Sequence, residues 1–89
     1  MRAVVTVMGN DKPGIIARTS TLLAENEVNI LDITQTIVQN MFTMVMLVDI
    51  QNSRLELSDL AEALNGLGSQ LEVEIRIQHE DIFNSMHRI

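Results

Sequence analysis

The chain has 89 residues and no cysteine, so it is read as one domain with neither a disulfide scaffold nor a thiolate metal site. Twelve acids against six bases give a formal charge of −6, which opposes the phosphate contacts that dominate nucleic-acid affinity; two aromatics offer few stacking platforms. No apolar run nears the roughly 20 residues of a spanning helix and the first residues lack a signal-peptide pattern, so the expectation is a cytoplasmic protein with neither a membrane nor a direct nucleic-acid partner.

Arg2 to Met8 alternates Ala3, Val5 and Val7 with Val4, Thr6 and Met8, which predicts a strand apolar on one face and only partly polar on the other. Gly9-Asn10-Asp11-Lys12-Pro13-Gly14-Ile15 follows as a strand-to-helix turn. Gly9 and Gly14 leave backbone without a Cβ, open to a small molecule or partner chain, and Pro13 presets φ for the first helical turn. Ile15, Ile16, Thr19, Leu22 and Leu23 then recur at helical spacing through Glu25.

Val28-Asn29-Ile30 opens a second strand, with Leu31, Ile33 and Ile37 on one face and Asp32, Thr34 and Thr36 on the other. Gln39-Asn40 is a tight turn. Met41 to Ile50 is a third strand whose second face, Thr43, Val45 and Leu47, is too apolar for open water, which predicts a central or covered position. Leu57, Leu60, Ala61, Leu64, Leu67 and Leu71 mark a second helix, with Ser58 or Ser53 as cap candidates and Gly66 and Gly68 loosening its last turns. Leu71 to Ile77 alternates as a last strand, and Ile82, Phe83, Met86 and Ile89 form a short apolar stripe that needs a surface to dock on.

Short connections and right-handed crossovers reduce this order to a ferredoxin-like βαββαβ sandwich, a four-stranded antiparallel sheet with two helices on one face. The expected division is a domain over 1–79 and an amphipathic tail, as a short helix, over 80–89. A core this small gains from pairing, so a homodimer or higher oligomer is expected.

Candidate chemistry is sparse. Asp11 stands either as a charge favouring the first helix's positive end or as the partner of a bound ammonium, with the helix-start amides receiving its carboxylate. Asn29 reads equally as a turn residue or as an amide suited to both ends of a zwitterion. Met41, Met44 and Met46 read as core and interface fillers rather than a soft-metal site, and His79-Glu80-Asp81 as a polar exit from the sheet. His87 lies in the tail. Catalytic carboxylate pairs, a Ser/His/Asp set, GxxxxGK and HExxH are all absent, so no enzyme, cofactor or metal is expected.

The Gly9–Ile15 turn, the Glu27-Val28-Asn29-Ile30 segment and the ending Glu80–Ile89 give the chain a resemblance to ACT domains over essentially its whole length, in particular to stand-alone bacterial ones and to the ACT repeats of the glycine-cleavage transcriptional repressor. The resemblance implies a ligand between protomers, held by Asn10, Asp11, Pro13, Gly14 and Ile15 of one chain and by Asn29 and Ile30 of the next. Phosphoglycerate dehydrogenase domains carry a histidine where this chain has Gly9, so a preference for serine does not transfer. The expected function is binding of a small amino acid or related metabolite that modulates a regulatory protein partner; the alternative is a ligand-free dimerisation module. An acylphosphatase-like enzyme needs an arginine in the first turn, where Lys12 is the only base.

Overall fold

In the computed structural model, which describes residues 1–86, the elements run β1 (Arg2–Asn10), α1 (Ile15–Glu25), β2 (Asn29–Val38), β3 (Met41–Asp49), α2 (Leu57–Leu71), β4 (Val73–His79) and α3 (Glu80–Met86). The sheet order is β2-β3-β1-β4 with every neighbouring pair antiparallel, which is the expected ferredoxin-like sandwich. β1 and β3 are interior, in keeping with their two apolar faces.

Pairing register sorts the side chains into two faces. Ala3, Val5 and Val7 of β1 stand beside Val48, Met46 and Met44 of β3, and Val5 and Val7 beside Ile77 and Ile75 of β4. All are buried, and with Phe42 they form the upper face, roofed by Ile15 and Leu23 of α1 and Leu60, Leu64, Leu67 and Leu71 of α2. Thr19 sits fully buried among these apolar groups. The lower face carries Val4, Thr6 and Met8 opposite Leu47, Val45 and Thr43. α3 folds back against β1 and β4, and Val4 is only 6% exposed although α1 and α2 lie on the other side.

Several local readings are corrected. Helix α1 begins at Ile15 with Gly14 as its N-cap at φ 90°, so Pro13 shapes the approach to the helix rather than its first turn. Helix α2 starts after Glu56 without a side-chain cap; the Ser53 hydroxyl instead donates to the Leu55 carbonyl, closing the preceding turn. α2 also runs on to Leu71, and β4 begins at Val73 after a left-handed Glu72 at φ 57°. Gly68 does not loosen the helix: a Cβ there would lie 2.7 Å from the Val73 carbonyl oxygen, so the missing side chain lets α2 sit against β4.

In β2, the register passes from Ile30 opposite Val48 to Asp32 opposite Leu47, so Leu31 is an extra residue in a β-bulge. The bulge takes Leu31 out of the alternation expected for it, while Ile33 and Ile37 share the upper face with Met46 and Phe42. Of the tail stripe, Ile82, Phe83 and Met86 belong to α3; Ile89 and His87 lie outside the described residues.

Candidate functional site

The end of the sheet at which β1 enters α1 is built by two turns tied together. Gln39 and Asn40, at φ 50° and 71°, form a two-residue hairpin loop with both central residues left-handed, the geometry that matches strand twist. The Asp11 N–H donates to the Asn40 carbonyl at 2.9 Å, fastening the β1–α1 turn to this hairpin. The Arg18 N–H then donates to the Gly14 carbonyl at 2.9 Å and starts the helix.

Gly14 and Gly9 do different work here. A Cβ on Gly14 would meet nothing nearer than Arg18 Cδ at 4.0 Å, so the left-handed backbone, not crowding, calls for glycine, and the space beside it stays open. On Gly9 a Cβ would lie 2.6 Å from Val73 Cγ1 and 3.0 Å from its Cα. Gly9 is the last residue of β1 paired with β4, opposite Val73, and its bare backbone is filled by the chain itself rather than left for a ligand.

A recess of about 140 Å³ opens at this end, lined by Asp11, Lys12, Gly14, Ile15, Ile16, Ala17 and Phe42. Asp11, Gly14 and Ile15 are thus brought together. Asn10 ends β1 beside Met41, and Pro13 sits in the turn; neither lines the recess. Asn29 and Ile30 lie at the far end of the sheet, where Asn29 pairs with Asp49, itself the partner of Arg2. Ile30 packs half-buried against the core. Lys12 and Phe42 also line the recess; Phe42 arrives through the β1–β3 register, opposite Gly9, which no local pattern reveals. Lys12 Nζ stands 3.4 Å from Glu72 Oε1, and the Arg18 guanidinium donates to Gln70 at 2.6 Å, so both bases near the turn are drawn towards the end of α2.

The second feature of this end is the outer edge of β2. The strand pairs only with β3, and along its ten residues none is fully buried. Ile33 and Ile37 are 42% and 53% exposed on the upper face, with Ile16 of α1 also exposed. An unpaired edge of that length bearing exposed apolar side chains is a template for a further strand. Among the described residues no group of three or more acids and histidines is placed to hold a metal, and no helix is long and apolar enough to cross a membrane.

The family model described as ACT domain matches residues 2–78. A protein of the group UPF0237 from Methanocaldococcus jannaschii is 52% identical over 88 residues, spanning 99% of this chain and 98% of its own. An ACT domain protein from Streptococcus pneumoniae superposes with a TM-score of 0.82 at 38% identity, over 93% of each chain. A structure described as a glycine cleavage system transcriptional repressor superposes with a TM-score of 0.70 at 26% identity; the match covers 86% of this chain and 44% of the other.

Proposed function

The chain belongs to the ACT domain family, whose members are generally small-molecule-binding regulatory modules, and from that premise we propose a homodimeric, non-enzymatic cytoplasmic sensor that binds a small amino acid or related metabolite between protomers and modulates a regulatory protein partner. The proposed site takes Asn10, Asp11, Pro13, Gly14 and Ile15 from one chain and Asn29 and Ile30 from its partner. The proposed boundary of the binding domain is residue 79, with the tail from residue 80 as an appendage.

The observation that carries this reading is the unpaired, apolar edge of β2 running past the open turn. In one chain Asn29 and the turn are at opposite ends of the sheet, and the recess of about 140 Å³ is less than half the roughly 300 Å³ at which small-molecule pockets begin. Antiparallel pairing of two β2 edges about a two-fold axis near Ile33 removes both difficulties. It brings the Asn29 end of one strand beside the Ile37–Val38 end of the other, which is the end that adjoins the turn, and it walls the recess from outside. Ligand binding then favours one dimer geometry by the difference in its affinity for the available geometries, and the partner protein reads that geometry.

An amino-acid panel in a thermal-shift assay, run with sedimentation velocity, tests the proposal. An amino acid at about 100 times its Kd adds about 2.7 kcal/mol of stability. The same exposed edge also supports the reading of a ligand-free pairing module, for which dimers form and no amino acid moves the melting temperature. A monomer at all concentrations overturns both.

A further inference from the structure

The lower face of the sheet holds a second recess, on the opposite side from the turn. α3 has seven residues, too few to persist as a helix without docking. It is fastened at its start by the Arg2–Glu80 ion pair and by the Asp81 N–H donating to His79 Nδ1 at 3.1 Å, and at its end by the Gln78 amide reaching Met86 Sδ at 3.4 Å. Between these fastenings α3 stands off the sheet over a space of about 270 Å³. That is close to the roughly 300 Å³ at which small-molecule pockets begin.

The lining has two chemistries. Met8, Phe83 and Met86 supply an apolar wall, and the thioethers adapt to irregular shapes. Glu74 and Arg76, two residues apart and so on one face of β4, supply adjacent opposite charges, with Arg76 Nε 2.5 Å from Glu74 Oε1. That contact occupies the guanidinium's Nε–H and leaves its two terminal NH₂ groups for a planar acceptor, while the other carboxylate oxygen of Glu74 remains to accept from a donor. A simple anion placed here meets Glu74 and the chain's net charge of −6, and a simple cation meets Arg76. A zwitterion carrying its ammonium and carboxylate on one carbon meets complementary groups at both ends. Both side chains are more than half exposed, so each polar contact is weak and the apolar wall has to supply much of the affinity.

We infer that the recess between α3 and the β1/β4 half of the sheet is a second small-molecule site, distinct from the turn, that takes a free α-amino acid with a medium-sized apolar side chain. The site needs no second subunit, so it stands whether or not the intersubunit reading holds. Its occupant bridges α3 to the sheet and holds the helix down.

Methyl-¹³C-methionine NMR on the full chain tests it, with L-leucine as probe and 4-methylpentanoate and isopentylamine as probes lacking the ammonium or the carboxylate. The expected result is saturable movement of the Met8 and Met86 methyls while those of Met44 and Met46, buried in the upper core, stay in place. The two half-probes and the R76Q variant should each weaken that response about two- to fivefold, the loss of one exposed charge pair. The inference is overturned if Met8 and Met86 do not respond at about 10 mM leucine, well above a millimolar Kd. It is equally overturned if the half-probes titrate as strongly as leucine, or if R76Q changes nothing. With uniform ¹⁵N added to the same sample, the Gly14 and Ile15 amides report the turn, so failure at one site is read separately from failure at the other.

Discussion

Replacing Gly14 with alanine isolates what the left-handed cap contributes. Its φ of 90° is one that L-residues adopt at a cost of about 1–2 kcal/mol, and the nearest atom to a Cβ there is 4.0 Å away, so no packing clash adds to that strain. For a domain of this length each kcal/mol moves the melting temperature by about 4–8 °C, so Gly14→Ala should lower it by about 4–16 °C. An 89-residue chain is within reach of chemical synthesis, which permits D-alanine at the same position. D-Alanine favours positive φ and restricts the unfolded chain, so it should equal glycine or exceed it by about 0.4–1 kcal/mol. Calorimetry on the three chains decides the matter. If the L- and D-alanine chains fall together, crowding and not backbone geometry holds the position, and the open approach drawn from Gly14 is wrong. If L-alanine costs less than about 0.5 kcal/mol, the cap relaxes freely and the strain argument fails.

Gly66 lies inside α2, and a Cβ added there would meet nothing within 4 Å, so Gly66→Ala should add about 0.8–1.0 kcal/mol in urea denaturation, whereas Gly68→Ala, facing the Val73 carbonyl oxygen at 2.7 Å, should lose about 1–3 kcal/mol. The Thr19 hydroxyl is fully buried and has no hydrogen-bond partner among the described residues, so Thr19→Val should stabilise by about 1 kcal/mol; a loss would mean that the hydroxyl is satisfied in solution. Lysine at both Ile33 and Ile37 places charge along the β2 edge and should leave a monomer whose melting temperature is independent of protein concentration, as sedimentation and calorimetry would show.

Periodicity carried the fold a long way. The alternation in β1 and β3 and the leucine spacing of α2 each depend on one segment and its own buried face, and the element order then admits few topologies. What stayed out of reach depends on pairs of segments. The bulge at Leu31 follows from the β2–β3 register, and Leu71 reads as strand or helix until the left-handed Glu72 separates the two. The site divides in the same way. Asp11, Gly14 and Ile15 are neighbours in sequence and share the recess, but Phe42 reaches it only through cross-strand pairing, and Gly9 has the composition of an open turn while standing against Val73. The lower recess joins β4 to a helix that folds beneath it, and the sequence shows the apolar stripe without showing its landing place.

The contact between Gly9 and Val73 ties the fates of two positions that lie most of the chain apart. A side chain can arise at position 9 only where β4 has shifted outward, because loss of the Val73 branch still leaves its Cβ at 2.9 Å and its Cα at 3.0 Å. A relative bearing both an intact valine at 73 and a bulky residue at 9 must have rebuilt the mouth of its first turn.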